Sequence, residues 1–137
     1  METAEFIEAL KTDTGYFIQH NGKADWREGW KLSIQGKTLE DSAYLYDHLI
    51  TLLVGTQASF KFATQKLFDY GGEQATKALT IYIPNGVDAR SFAELVKINI
   101  PDYKGAEGIE EKKSYTKYSE GIFYRNDRTE TGAYIPA

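Results

Sequence analysis

The chain has 137 residues, 42% of them hydrophobic and 26% charged, which is enough for one domain with a substantial core and too few for two comfortable ones. A formal charge of −4 argues against gripping nucleic acid through the whole surface, since such affinity comes mainly from neutralising phosphates; a local basic pocket remains compatible with it. With no cysteine there is no disulfide framework, thiol nucleophile or zinc–thiolate site, which suits a reducing compartment.

The opening METAEFIEALK carries acids where a signal peptide carries Lys or Arg. No uninterrupted apolar run approaches the roughly 20 residues that span a bilayer. A soluble chain with no membrane partner is therefore expected, with the cytoplasm as its place. Phe6, Ile7 and Leu10 fall at helical spacing behind Glu2 and Glu5, which predicts a short amphipathic helix over 3–11. Tyr16, Phe17 and Ile18 predict a strand closed at HNGK, where Asn21-Gly22 is a strong turn dipeptide. GWKLSIQG, residues 29–36, alternates: Trp30, Leu32 and Ile34 fall on one face, Lys31, Ser33 and Gln35 on the other.

Thr38 followed three residues later by Asp41 predicts a capped helix start, with the helix running to about Val54 and stopped by Gly55. Its buried stripe is expected at Leu39, Ala43, Tyr46, Leu49, Ile50 and Leu53. SFKFAT alternates again, QKLFDY gives a turn or two of helix, and Gly71-Gly72 marks a loop. ALTIYIPNG reads as the clearest strand, and Asp88 opens a helix over 88–98 that should bury Phe92, Leu95 and Val96 before Pro101 ends it. Residues 102–113 read as a polar loop; KSYTKYSEGIFYR alternates around a Ser119-Glu120-Gly121 turn, and 132–135 predict a last short strand.

Strands and helices mixed without a strict βαβ rhythm predict an α+β fold: one domain over 1–137, a mainly antiparallel sheet, and two longer helices packed on one face. Trp30, Leu32, Ile34, Phe60, Phe62, Ile81 and Ile83 should meet the helices. The opposite face would then carry Lys31, Ser33, Lys61, Thr80 and Tyr82, so cations and a phenol converge if those strands are neighbours.

The stretches WKLSIQ, FKFATQKLF, KALTIYIP and FYR, in that order across about residues 26–126, resemble the phosphothreonine lyases of bacterial type III secretion effectors and the amino-terminal lyase domain of class III lanthipeptide synthetases. The resemblance implies metal-independent, cofactor-free β-elimination of phosphate from a phosphoserine or phosphothreonine residue. It also implies a phosphorylated peptide or other small anionic ligand as partner, with a protein partner and secretion into a host cytoplasm as further readings. By this resemblance Lys61 matches the base, Lys31 the lysine of the first strand, Tyr82 the tyrosine ending the central strand, Lys77 the lysine opening it, and Arg125 the arginine after the late tyrosines. Lys31, Lys77, Arg125 and Ser33 are then the expected phosphate-binding residues, although Ser33 stands where the family carries the histidine that protonates the departing phosphate. The loop before the central strand offers Gly71, Gly72 and Glu73 where the family supplies an arginine. These departures imply altered or absent lyase activity, and the alternative is a non-catalytic binding module on the same scaffold, an effector or inhibitor of another protein or nucleotide-like ligand.

Plainer readings compete at each position. Lys31 and Lys61 also read as solvated lysines of an amphipathic sheet, Tyr82 and Tyr124 as rim packing, and Arg125 as a surface charge beside Asp127 and Arg128. His48 reads as a structural histidine beside a buried stripe, and His20 as a residue that would have to enter the site from a neighbouring strand. The Glu110-Lys113 charge run reads as a solvated loop. Two histidines and no cysteine predict no transition-metal site.

Overall fold

The computed structural model describes residues 2–23, 29–72, 76–103, 105 and 115–126. The expected strand over 132–135 and most of the expected loop over 102–113 lie outside them. Along the chain run α1 (Thr3–Thr12), β1 (Phe17–His20), β2 (Trp30–Ile34), α2 (Leu39–Gly55), β3 (Ser59–Ala63), α3 (Gln65–Tyr70), β4 (Leu79–Tyr82), α4 (Ala89–Asn99), β5 (Thr116–Ser119) and β6 (Ile122–Asn126). The fold is α+β, as the patterning predicts.

Local chemistry sets the helix starts. Thr38 and Asp41 form a reciprocal capping box at α2: the threonine hydroxyl accepts from the Asp41 N–H, and the Asp41 carboxylate accepts from the Thr38 N–H. Asp88 caps α4 through the Ser91 N–H, and Thr64 caps α3 through the Leu67 N–H. α2 extends through Gly55, and the left-handed residue beyond it is Gln57, with φ of 61°. Its buried stripe is rotated from the expected one. Ser42 and Leu45 are buried alongside Tyr46, Leu49 and Leu53, whereas Leu39 and Ile50 pack at the margin. α4 buries Phe92, Ala93 and Val96 but leaves Leu95 exposed, because its inward face follows Ala89 and Ala93.

The six strands form one antiparallel sheet in the order β1-β3-β4-β2-β6-β5. Among the described strands, only β3 with β4 and β5 with β6 are neighbours both in sequence and in the sheet; the latter pair turns at Glu120-Gly121, where Gly121 has φ of 74°. Asn21-Gly22 does not make a hairpin, since β1 pairs with β3. Its glycine instead permits a close approach: a Cβ on Gly22 would collide with the carbonyl oxygens of Gln57 and Ala58, and the neighbouring Lys23 N–H donates to Gln57 O at 2.8 Å.

Leu32, Ile34, Phe60, Phe62, Leu79, Ile81, Ile83 and Ile122 join the helices in one core. Phe6 of α1 stacks on Tyr46 of α2 and meets Phe62 edge-on, fixing the first helix to the sheet. Trp30, expected in this core, is exposed at the start of β2. Among the described residues no helix is long and apolar enough to cross a membrane.

Candidate functional site: a cationic sheet face

The register places the sequence-derived residues in two rows on the face opposite the helices. In one row Lys61 lies opposite Thr80, Thr80 opposite Ser33, and Ser33 opposite Phe123. In the next, Ser59 lies opposite Tyr82, Tyr82 opposite Lys31, and Lys31 opposite Arg125. Period-two alternation gives all of them one side of the sheet, while their Phe, Leu and Ile neighbours enter the core.

This face is not a solvated one. Lys31 is 8% exposed, Lys77 5% and Arg125 3%, and Ser33 and Thr80 are buried beside them. The expectation of a solvated lysine at 31, and of surface charge pairing at Arg125, is thereby corrected. Lys61 and Tyr82 are half-buried.

Tyr115, directly before β5, lies at the centre of the cations. Its ring centroid is 5.0 Å from the Arg125 guanidinium carbon, 5.2 Å from Lys77 Nζ and 5.8 Å from Lys31 Nζ. Lys77 Nζ also donates to the Tyr115 hydroxyl at 3.3 Å. Lys61 shares the face but turns elsewhere: its Nζ lies 4.3 Å over the ring of Phe17, a diagonal neighbour on β1. The structure thus gathers Lys31, Lys77 and Arg125 on one ring, and sets Lys61 beyond Thr80 toward the sheet edge.

The far end of β2 is pinned by Tyr103, whose hydroxyl donates to Gln35 O at 2.6 Å. Burial first, then Asp41 and Tyr44, pushes this phenol well above its ordinary pKa, so it stays a neutral donor.

No protein-family model and no curated protein matches the chain. Among solved structures, it is similar to the Chromobacterium violaceum VirA (SpvC) phosphothreonine lyase effector protein, with a TM-score of 0.61 and 15% identity over 87% of this chain and 71% of that one. The two share a fold. At that identity the likeness concerns architecture, and the phosphothreonine lyase fold by itself transfers no chemistry.

Within this fold, His20 is on the wrong face to serve the cations. It lies opposite Phe60 and stacks on that ring, 5.0 Å between centroids, on the helix side of the sheet. Tyr124 also faces the helices, opposite Leu32. His48 is exposed on α2, stacked on Tyr44 with its Nδ1 2.9 Å from Tyr44 O. Asp127, Arg128, Glu73 and the Glu110-Lys113 run lie outside the described residues. Among the described residues no group of His, Asp and Glu side chains could hold a metal ion.

A cleft of about 220 Å³ opens on the helix side, over Phe6, Tyr46, Phe60 and Phe62 with His20 at its rim. Its apolar floor belongs to the core and carries none of the clustered cations. The residue that sequence reading missed is Tyr115. It lies in KSYTKYSEG among ten tyrosines, and only the surplus of that residue type hinted at a site.

Proposed function

We propose that the chain is a divergent phosphoserine/phosphothreonine lyase-like protein that takes a phosphorylated side chain on the cationic face of its sheet. The observation that carries this reading is the gathering of Lys31, Lys77 and Arg125 around one ring, on the face that also bears Lys61. A phosphorylated side chain carries about −1.5 to −2 charge at neutral pH. Two ammonium groups and a guanidinium can offset that charge, and the planar guanidinium is shaped to hold two phosphate oxygens at once.

In the elimination, Lys61 takes the α-proton and the C–H electron pair becomes the new Cα=Cβ bond. The Cβ–O bond breaks, and phosphate leaves with its electrons. Cations on the phosphate oxygens stabilise the charge that builds there, and Tyr82, in the row of Lys31, positions the substrate. Lys61 must be neutral to act as the base. Ser33 has no proton acidic enough to protonate departing phosphate near pH 7, where the resembled family uses histidine. A general acid contributes about 10²–10⁴ in rate, so turnover is slow.

A second reading, a binding module without catalysis, is favoured by one observation. The Phe17 ring under Lys61 Nζ stabilises the ammonium form, which opposes the role of base. Both readings imply a phosphorylated peptide or other small anionic ligand, with no cofactor. Prolonged incubation with a phosphothreonine peptide separates them. Loss of phosphoric acid by mass, abolished in Lys61→Ala, supports the lyase; saturable binding without mass loss supports the module. Neither binding nor mass loss overturns both.

A further inference from the structure

We infer that Tyr115 is the positioning residue of the anion site, assembling its three cations before any anion arrives. This rests on the proposed anion-binding face and adds to it a residue that the resemblance does not assign. The register puts Lys31 opposite Tyr82 at one end of β4, whereas Lys77 precedes Leu79 at the other. Lys77 lies two residues before the strand and five before Tyr82, a span of up to about 17 Å at roughly 3.3 Å per extended residue. Pairing alone would therefore hold the two lysines apart. Lysine stems are long and flexible, so the two ammonium groups can converge from those separate positions only along ordered stems.

The Tyr115 ring is the contact that all three cations share. Its centroid lies within 6 Å of Lys31 Nζ, Lys77 Nζ and the Arg125 guanidinium carbon, the range in which a cation is attracted to an aromatic ring. Its hydroxyl holds Lys77 Nζ directly. The residue is itself buried, and it adjoins Thr116, which lies opposite Tyr124, so Tyr115 is carried to the neighbourhood of Arg125 by the β5-β6 hairpin. Ordering three rotamer-rich side chains opposes binding; a ring that orders them beforehand removes that cost from the ligand and raises its affinity.

A purely space-filling tyrosine is indifferent to the sign of the ring's quadrupole, and a ring that holds cations is not. The test compares the full chain carrying Tyr, Phe or pentafluorophenylalanine at position 115, titrated calorimetrically with a phosphothreonine peptide and separately with inorganic phosphate. Circular dichroism confirms folding of each form. Tyr115→Phe is expected to bind within about threefold of the native chain, because the ring face is kept and only the hydroxyl that accepts from Lys77 is removed. The fluorinated ring, similar in shape with its face polarity reversed, is expected to weaken both ligands by at least about tenfold. Native binding with equal affinity for the fluorinated form overturns the role of Tyr115 and leaves the anion site standing. If the native chain binds neither probe, the role of Tyr115 and the anion site fall together.

Discussion

Ser33 is where a single side chain decides between the two proposed readings. It has no exposed surface and lies between Thr80 and Phe123 in the row that begins at Lys61. If the scaffold lacks only a proton donor, Ser33→His should raise the rate of phosphate loss from a phosphothreonine peptide by about 10²–10⁴. The larger ring must be accommodated in a buried position, at a cost of about 1–3 kcal/mol that a lowered melting temperature would report. A folded Ser33→His protein that binds the peptide and shows no gain in mass-loss rate would remove the missing acid as the explanation. The Lys61–Phe17 contact would then be the next target.

At the scale of elements, helix starts were legible because capping is local: Thr38 with Asp41 and Asp88 with Ser91 are spaced within one turn. Strand alternation was equally legible, and it sorted Lys31, Ser33, Lys61, Thr80 and Tyr82 onto one face. What escaped was relational. Nothing local says that β1 pairs with β3 across an intervening strand and helix, which put His20 against Phe60. Nor does local pattern say that the α2 stripe is rotated toward Ser42 and Leu45, or that Tyr115 meets three cations contributed by three distant segments. The α4 cap yields a pH prediction. The Ser91 N–H and hydroxyl, in that order, hold the Asp88 carboxyl below its ordinary pKa. Its stabilising effect is therefore fully present above the ordinary Asp value and lost as pH falls through the lower folded value. Asp88→Asn keeps a capping oxygen but cannot titrate, so urea unfolding across an acid pH series should show a shallower decline in stability below the ordinary Asp pKa than in the native chain. An unchanged slope would mean that the cap does not contribute to acid unfolding.

At the scale of the whole molecule, a chain of net charge −4 concentrates Lys31, Lys77 and Arg125 on one buried patch. An anion that binds the folded patch and not the unfolded chain must stabilise the fold by mass action. At a phosphate concentration about 100 times the dissociation constant, the gain is about 2.7 kcal/mol. For a chain of this size that corresponds to a rise in melting temperature on the order of 10 °C. Chloride at matched ionic strength serves as the control, because general screening acts alike in both salts, while the protein's acidic balance gives non-specific anion binding little to hold. Lys31→Ala with Arg125→Ala should reduce the phosphate-specific increment to near zero. Equal melting temperatures in phosphate and chloride, up to saturating phosphate, would show that the three cations do not act as one anion site.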